Sequence, residues 1–152
     1  MSYITFQPSD HFNVTTYSGN GSTGRALTGV GFAPDFLWVK ERADDAGAHF
    51  LNDIIRGETK YLQSNSTSTE ANDSNVITSL DSDGFTVGND DDSNASGDTY
   101  VAYSWKGAGS SSANSNGSIS STVSANTTAG FSIVKYTGTG SNGTVGHGLG
   151  SN

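Results

Sequence analysis

Several groups of side chains in this chain have the types and spacing to do chemistry. Carboxylates gather between residues 81 and 98, where Asp81-x-Asp83-Gly84 is followed by Asn89-Asp90-Asp91-Asp92 and Asp98. Such oxygen ligands suit a hard cation like calcium, which makes Asp81, Asp83, Asp90 and Asp92 weak candidates for a metal site. They do not form an EF-hand loop, because the sixth position counted from Asp81, where glycine must turn sharply, is Thr86. Solvated hairpin tips rich in Asp and Asn are the simpler reading, and no metal or other cofactor is expected.

Catalytic constellations fare no better. His11, His49 and His147 are the only histidines, and none lies in a Gly-x-Ser-x-Gly or His-Glu-x-x-His context. Asp53 and Glu58 would suffice in type for a glycosidase pair, but linear spacing says nothing of the separation that such chemistry requires. Gly19-x-Gly21-x-x-Gly24 matches the dinucleotide-binding glycine pattern, and it recurs at Gly138, Gly140 and Gly143. A nucleotide site needs a helix next, which Gly29, Gly31 and Pro34 would interrupt, so the pattern reads as a loop with positive φ angles. Trp38, Tyr103 and Trp105 have the chemistry of a sugar-stacking platform, yet their period-2 placement on strong strands suits a core better. The expected catalytic set is therefore empty, and the chain is not expected to be an enzyme.

The elements that position these residues are strands. Charged residues are only 14% of the 152, and polarity comes from Ser, Thr, Asn and 20 Gly, which favour turns and strands over helix interiors. Short apolar runs recur between turn clusters: Phe12 to Tyr17, Arg25 to Val30, Phe36 to Lys40, Gly84 to Val87 and Thr99 to Trp105, with weaker runs at His49 to Asn52, Lys60 to Ser64 and Val76 to Leu80. Asn52 to Arg56 reads as one helical turn. The pattern predicts an all-β fold, an antiparallel β-sandwich of jelly-roll type, with Phe12, Phe36, Trp38, Phe85, Val101, Tyr103 and Trp105 in its core.

Seven basic against 15 acidic residues give a net charge of −8, which repels nucleic acid and anionic lipid surfaces. No apolar stretch approaches the ~20 residues of a membrane span, and the first residues lack the regions of a signal peptide. With zero cysteines, stability must come from packing, backbone ladders or assembly with other chains, a homo-oligomer among them.

The domain proper is expected over residues 1–106. From Gly107 to Gly130 the composition collapses to small and polar residues, with Ile119 and Val123 as apolar anchors, and reads as a linker carrying one thin strand. Residues 131–152 then repeat the N-terminus at an offset of 119: Phe12 falls on Phe131, Tyr17 on Tyr136, Gly19 on Gly138, Gly21 on Gly140, Gly24 on Gly143, Gly29 on Gly148 and Gly31 on Gly150. The second copy reads as truncated, lacking a counterpart of Phe36 to Lys40. Phe131, Ile133, Val134 and Tyr136 then form an assembly strand that docks on its own domain or on a neighbour.

Phe12 to Gly24, Thr28 to Lys40, Asp81 to Gly88, Tyr100 to Lys106 and Gly130 to Gly150 are the stretches in which the chain resembles a domain family of structural and tail-fibre-like proteins of marine bacteriophages, where the domain often occurs in tandem. The resemblance implies a non-enzymatic virion component built on a β-sandwich-like module, made in the host cytoplasm and displayed on the particle surface. A capsid decoration protein, with other virion proteins as partners, is the leading expectation. A tail-fibre or glycan-binding host-recognition module is the alternative.

Overall fold

The computed structural model describes residues 6–43 and 47–150. The chain forms antiparallel sheets that pack together as an all-β sandwich, as the alternation of apolar and turn residues predicts. The larger sheet runs in the order β1 (Phe12–Ser18), β9 (Thr99–Trp105), β3 (Phe36–Glu41), β4 (His49–Asp53), β5 (Gly57–Gln63) and β6 (Ala71–Asn72). Facing it lies a sheet in the order β2 (Arg25–Thr28), β8 (Gly84–Val87) and β7 (Ile77–Asp81). The segment Asn52 to Arg56 is a turn after β4 rather than a helix, closed by Ile55 and Arg56 N–H groups that donate to Asp53 Oδ1.

The core lies between the two sheets. Leu37 and Val39 of β3, Tyr100 and Ala102 of β9, Ile77 of β7, and Phe85 and Val87 of β8 are all inaccessible to solvent. This corrects the expected core. Of the aromatic and β-branched residues assigned to it, only Phe85 is there; Phe12, Phe36, Trp38, Val101, Tyr103 and Trp105 lie on the opposite face of the six-stranded sheet and are partly exposed, Phe12 by 38%. A period of two groups residues onto one face without saying which face is inward. Here both faces of β3 and β9 are apolar, and the alternation with Leu37, Val39, Tyr100 and Ala102 is the one that meets the second sheet.

The glycine pattern at 19, 21 and 24 leads into strand β2 and not into a helix. Gly19 runs so close to residue 95 that a Cβ would sit 2.0 Å from the Ala95 carbonyl oxygen, and Gly21 has φ +69°. The first glycine is needed for close approach and the second for a left-handed turn.

The segment expected to be a linker with one thin strand holds two strands. These are β10 (Ser112–Asn114) and β11 (Ser121–Asn126), which pair antiparallel with each other, and β11 pairs in turn with β12 (Phe131–Tyr136). The ladder explains how so few apolar side chains suffice: backbone hydrogen bonds carry the sheet, and small residues let the chain after β12 pack close, with Gly148 against Val123 and Ala125. Ile119 and Val145 add an isolated parallel bridge.

Candidate functional site

The outer face of the six-stranded sheet carries the aromatic side chains that the core leaves out. Strand register arranges its side chains in rows. Phe12, Trp105, Phe36 and Asp53 make the first row; Val14, Tyr103, Trp38, Leu51 and Leu62 the second; Thr16, Val101, Lys40 and His49 the third. The rings touch along and across rows, with centroids 5.5 Å apart for Trp38 and Tyr103, 5.3 Å for Phe36 and Trp105, and 4.9 Å for Phe12 and Trp105. Val14 is 43% exposed and Leu62 39%, at opposite ends of the second row.

The third row is polar. His49 Nδ1 lies 3.3 Å from Ser64 Oγ, and the Lys40 ammonium donates to the Glu41 carbonyl at 2.7 Å. Partial burial, and then the neighbouring Lys40 charge, hold the His49 imidazole below its ordinary value. The face thus joins a ridge of aromatic rings to a hydrogen-bonding edge that carries the Lys40 charge. That combination suits stacking and adhesion rather than proton transfer.

The third sheet covers the first row. Phe131 stacks on Trp105 at 6.1 Å and leans on Phe36 at 6.3 Å. Around it, Asn126 Nδ2 donates to the Lys106 carbonyl at 3.1 Å and lies 2.9 Å from His11 Nδ1, while the Lys135 ammonium donates to the Ile55 carbonyl. At the junction, buried Asp35 accepts from the backbone N–H of Gly107 at 2.7 Å and of Gly109 at 3.0 Å, and Ser124 Oγ accepts from Ala108 N–H. Burial raises the Asp35 carboxyl, and those two N–H groups with Lys106 pull it back toward the ionised form. The structure therefore lays the repeat strand on its own sandwich. Phe131, Ile133 and Lys135 share the inward face, and Val134 and Tyr136 take the other.

The acidic candidates do not converge. Asp81 accepts from the Ser79 and Thr86 hydroxyls; Asp83 accepts from the N–H of Gly29 and Gly31, closing the loop after β2; Asp90 caps the helical turn α1 (Asp91–Asn94) by accepting from Asp92 N–H. Among the described residues no group of three acidic, histidine or cysteine side chains could hold a metal ion. Asp53 is ion-paired with Arg56, while Glu58 accepts from Leu80 N–H in the opposite sheet, so those carboxylates serve separate backbones. His11 stacks on Phe6 near the start of β1, His49 sits on the outer face and His147 bonds Leu149 N–H.

Linear reasoning missed Leu51, Leu62 and His49 as members of the face, because only cross-strand register places them beside Trp38. It missed Asp35 too, whose partners are backbone groups over 70 residues away in sequence. The alternation of Phe36, Trp38 and of Tyr103, Trp105 was the available signal. A family model described as a domain of unknown function, DUF7483, matches residues 7–152. No curated protein and no solved structure matches the chain.

Proposed function

We propose, from the premise that this chain belongs to the DUF7483 family of unknown function, that it is a non-enzymatic structural protein of a bacteriophage particle, displayed on the virion surface as a capsid decoration protein. The observation that carries this reading is the outer face, where Val14 and Leu62 are exposed and Tyr103, Trp38 and Leu51 between them are half-buried. An accessible apolar patch of this kind marks a contact surface. Carboxylates at Asp35, Asp83 and Asp90 are spent on clamping backbone N–H groups, as expected of a scaffold. The resemblance to tail-fibre-like phage domains points the same way and makes other virion proteins the partners, with assembly in the host cytoplasm.

One observation favours a second reading, a glycan-binding host-recognition module. Trp38 and Tyr103 lie side by side on an accessible face, with His49, Ser64 and Lys40 beside them to bond hydroxyl groups. Localising the protein on purified particles by cryo-electron microscopy, together with a glycan array on the isolated chain, separates the two. Density on the capsid with no sugar bound supports decoration. Specific sugar binding lost in Trp38→Ala, or density at the tail tip, replaces it with the recognition reading. Turnover of host polysaccharide by the purified chain would overturn both.

A further inference from the structure

Between β12 and the six-stranded sheet runs a groove whose floor is Phe36 and Leu51 beside the Asp53–Arg56 ion pair, and whose wall is the continuous run Ile133 to Tyr136. A strand face presents every second residue, so four successive residues line a groove only where the strand turns its edge to it. β12 is the last strand of its sheet, with β11 on its other side. Among the described residues the groove therefore holds an unpaired strand edge above a floor that is apolar apart from the Asp53–Arg56 pair. Leu62 and Tyr136, 39% and 56% exposed, form its rims.

The internal repeat tells what belongs on that edge. β12 is the counterpart of β1, and β1 is bordered by β9, with Asn13 opposite Ser104, Thr15 opposite Ala102 and Tyr17 opposite Tyr100. That ladder closes with Lys106 N–H donating to the His11 carbonyl and Gly19 N–H donating to the Asp98 carbonyl. It is thus the odd-numbered residues of β1, whose side chains enter the core, that bond β9. Their counterparts in β12 are Ser132, Val134 and Tyr136, whose side chains turn away from the sandwich. In a strand of L-residues the side to which N–H and C=O point follows from the face that the side chain takes. β11 lies toward Lys106, where Asn126 donates to that residue's carbonyl. The free edge of β12 consequently looks along the outer face toward Leu51 and Leu62, and it is the edge that β9 occupies in the first copy.

We propose that this groove binds an extended strand of a protein partner, one with the polar and apolar alternation of Thr99 to Trp105. Its backbone pairs with Ser132, Val134 and Tyr136, and its apolar side chains rest on Leu51, Leu62 and Trp38. Backbone pairing supplies affinity and the alternate side chains supply register, as in other strand additions. A second copy of the chain cannot fill the groove with its own β12. Two-fold pairing of the two edges would place both sandwiches on the same side of the joined sheet, in the same space.

The test uses the full chain, isotope-labelled, and a synthetic peptide of the sequence Thr99 to Trp105 flanked by lysines, with a scrambled peptide of equal composition as control. The expected result is slowed amide exchange at Ser132, Val134 and Tyr136 with the native-order peptide alone, and binding weakened about tenfold by Leu62→Asp. Leu62 is partly exposed, so that variant keeps its fold, and unchanged amide signals from β1 verify this. Val134→Pro, which removes an edge N–H, abolishes the protection. Equal binding of the scrambled peptide, or no protection at those amides, overturns the proposal. Protection that grows with protein concentration in the absence of peptide also overturns it, assigning the edge to self-association. None of these outcomes depends on where the protein sits in a virion, so the functional reading can fail or stand separately.

Discussion

Tyr17 and Tyr136 occupy the same place in a repeated sequence and live in opposite environments. The Tyr17 hydroxyl donates to the Ser93 carbonyl at 2.7 Å, its ring stacks on Tyr100 at 5.0 Å and meets Phe85 edge-on, and burial lifts its hydroxyl pKa far above the ordinary phenol value. Tyr136 is 56% exposed. The local structure around them is shared: each is the sixth residue of a strand that opens with Phe, and each is followed by a turn whose glycine is left-handed, Gly21 at φ +69° and Gly140 at φ +74°. Local sequence therefore sets strand and turn in both copies. Burial is decided elsewhere, by whether β9 and the facing sheet are present to receive the side chain.

The sharpest way to break this comparison is to truncate both tyrosines. Tyr17→Ala should cost about 3 kcal/mol, the low end of the range for a large ring, since Tyr17 packs against the core partly buried, and should shift the urea midpoint down. Tyr136→Ala should stay within about 0.5 kcal/mol of the parent. Equal losses would mean that the exposed tyrosine is as structural as the buried one.

Phe12 and Phe131 offer a milder contrast, since Phe131 lies beneath a whole sheet. Phe131→Ala should cost about 2–3 kcal/mol, and hydrogen exchange should quicken across β10 to β12 while β3 and β9 stay protected. Asp35→Ala acts at the same junction. Leaving the Gly107 and Gly109 N–H groups without their acceptor should cost about 1–3 kcal/mol, seen as faster exchange at those amides.

The smallest effect acts on the side of Tyr17, through the turn that supplies the Ser93 carbonyl. Burial, and then the Asp92 carboxylate with help from Asp73 and Asp91, raises the Asp90 carboxyl. A raised folded-state value means that the charged form costs stability above it, and that this cost fades as pH falls toward the unfolded value. Asp90→Asn keeps a capping oxygen and removes the charge. It should stabilise the protein by about 0.5 kcal/mol at pH 7, with the gain vanishing in denaturation curves below the carboxylate range.

The fold was legible in the sequence to the extent that apolar alternation between Gly and Asn turns is. Phe36 to Lys40 and Thr99 to Trp105 both became strands near the middle of the larger sheet. The inward face was not legible, because Leu37, Val39 and Ala102 compete with Phe36, Trp38 and Tyr103 on nearly equal terms, and only the missing partner sheet decides between them. Between Gly107 and Gly130 one thin strand was expected where β10 and β11 both form, for a different reason. Ser112 to Asn114 and Ser121 to Asn126 are held by ladder hydrogen bonds and close packing of small groups, neither of which leaves an apolar pattern. The candidate face was half visible. Its aromatic members were named from sequence, while Leu51, Leu62 and His49 required the register of β3 with β4 and of β4 with β5.

The pairing of β1 with β9 also governs how the chain can reach its native state. Phe12 meets Trp105 and Ser18 meets Thr99, so this ladder closes a loop of about 80–90 residues, whereas β11 and β12 are joined by a tight turn. Closing the longer loop costs on the order of 3 kcal/mol more chain entropy than a four-residue connection. The meander of β3, β4 and β5 and the β10 to β12 sheet can therefore form early, while β1 waits until β9 is in place. Non-local pairings of this kind slow folding. During synthesis β1 and β3 emerge before β9, the strand that lies between them, and the chain's exposure to mispairing is greatest until β9 follows.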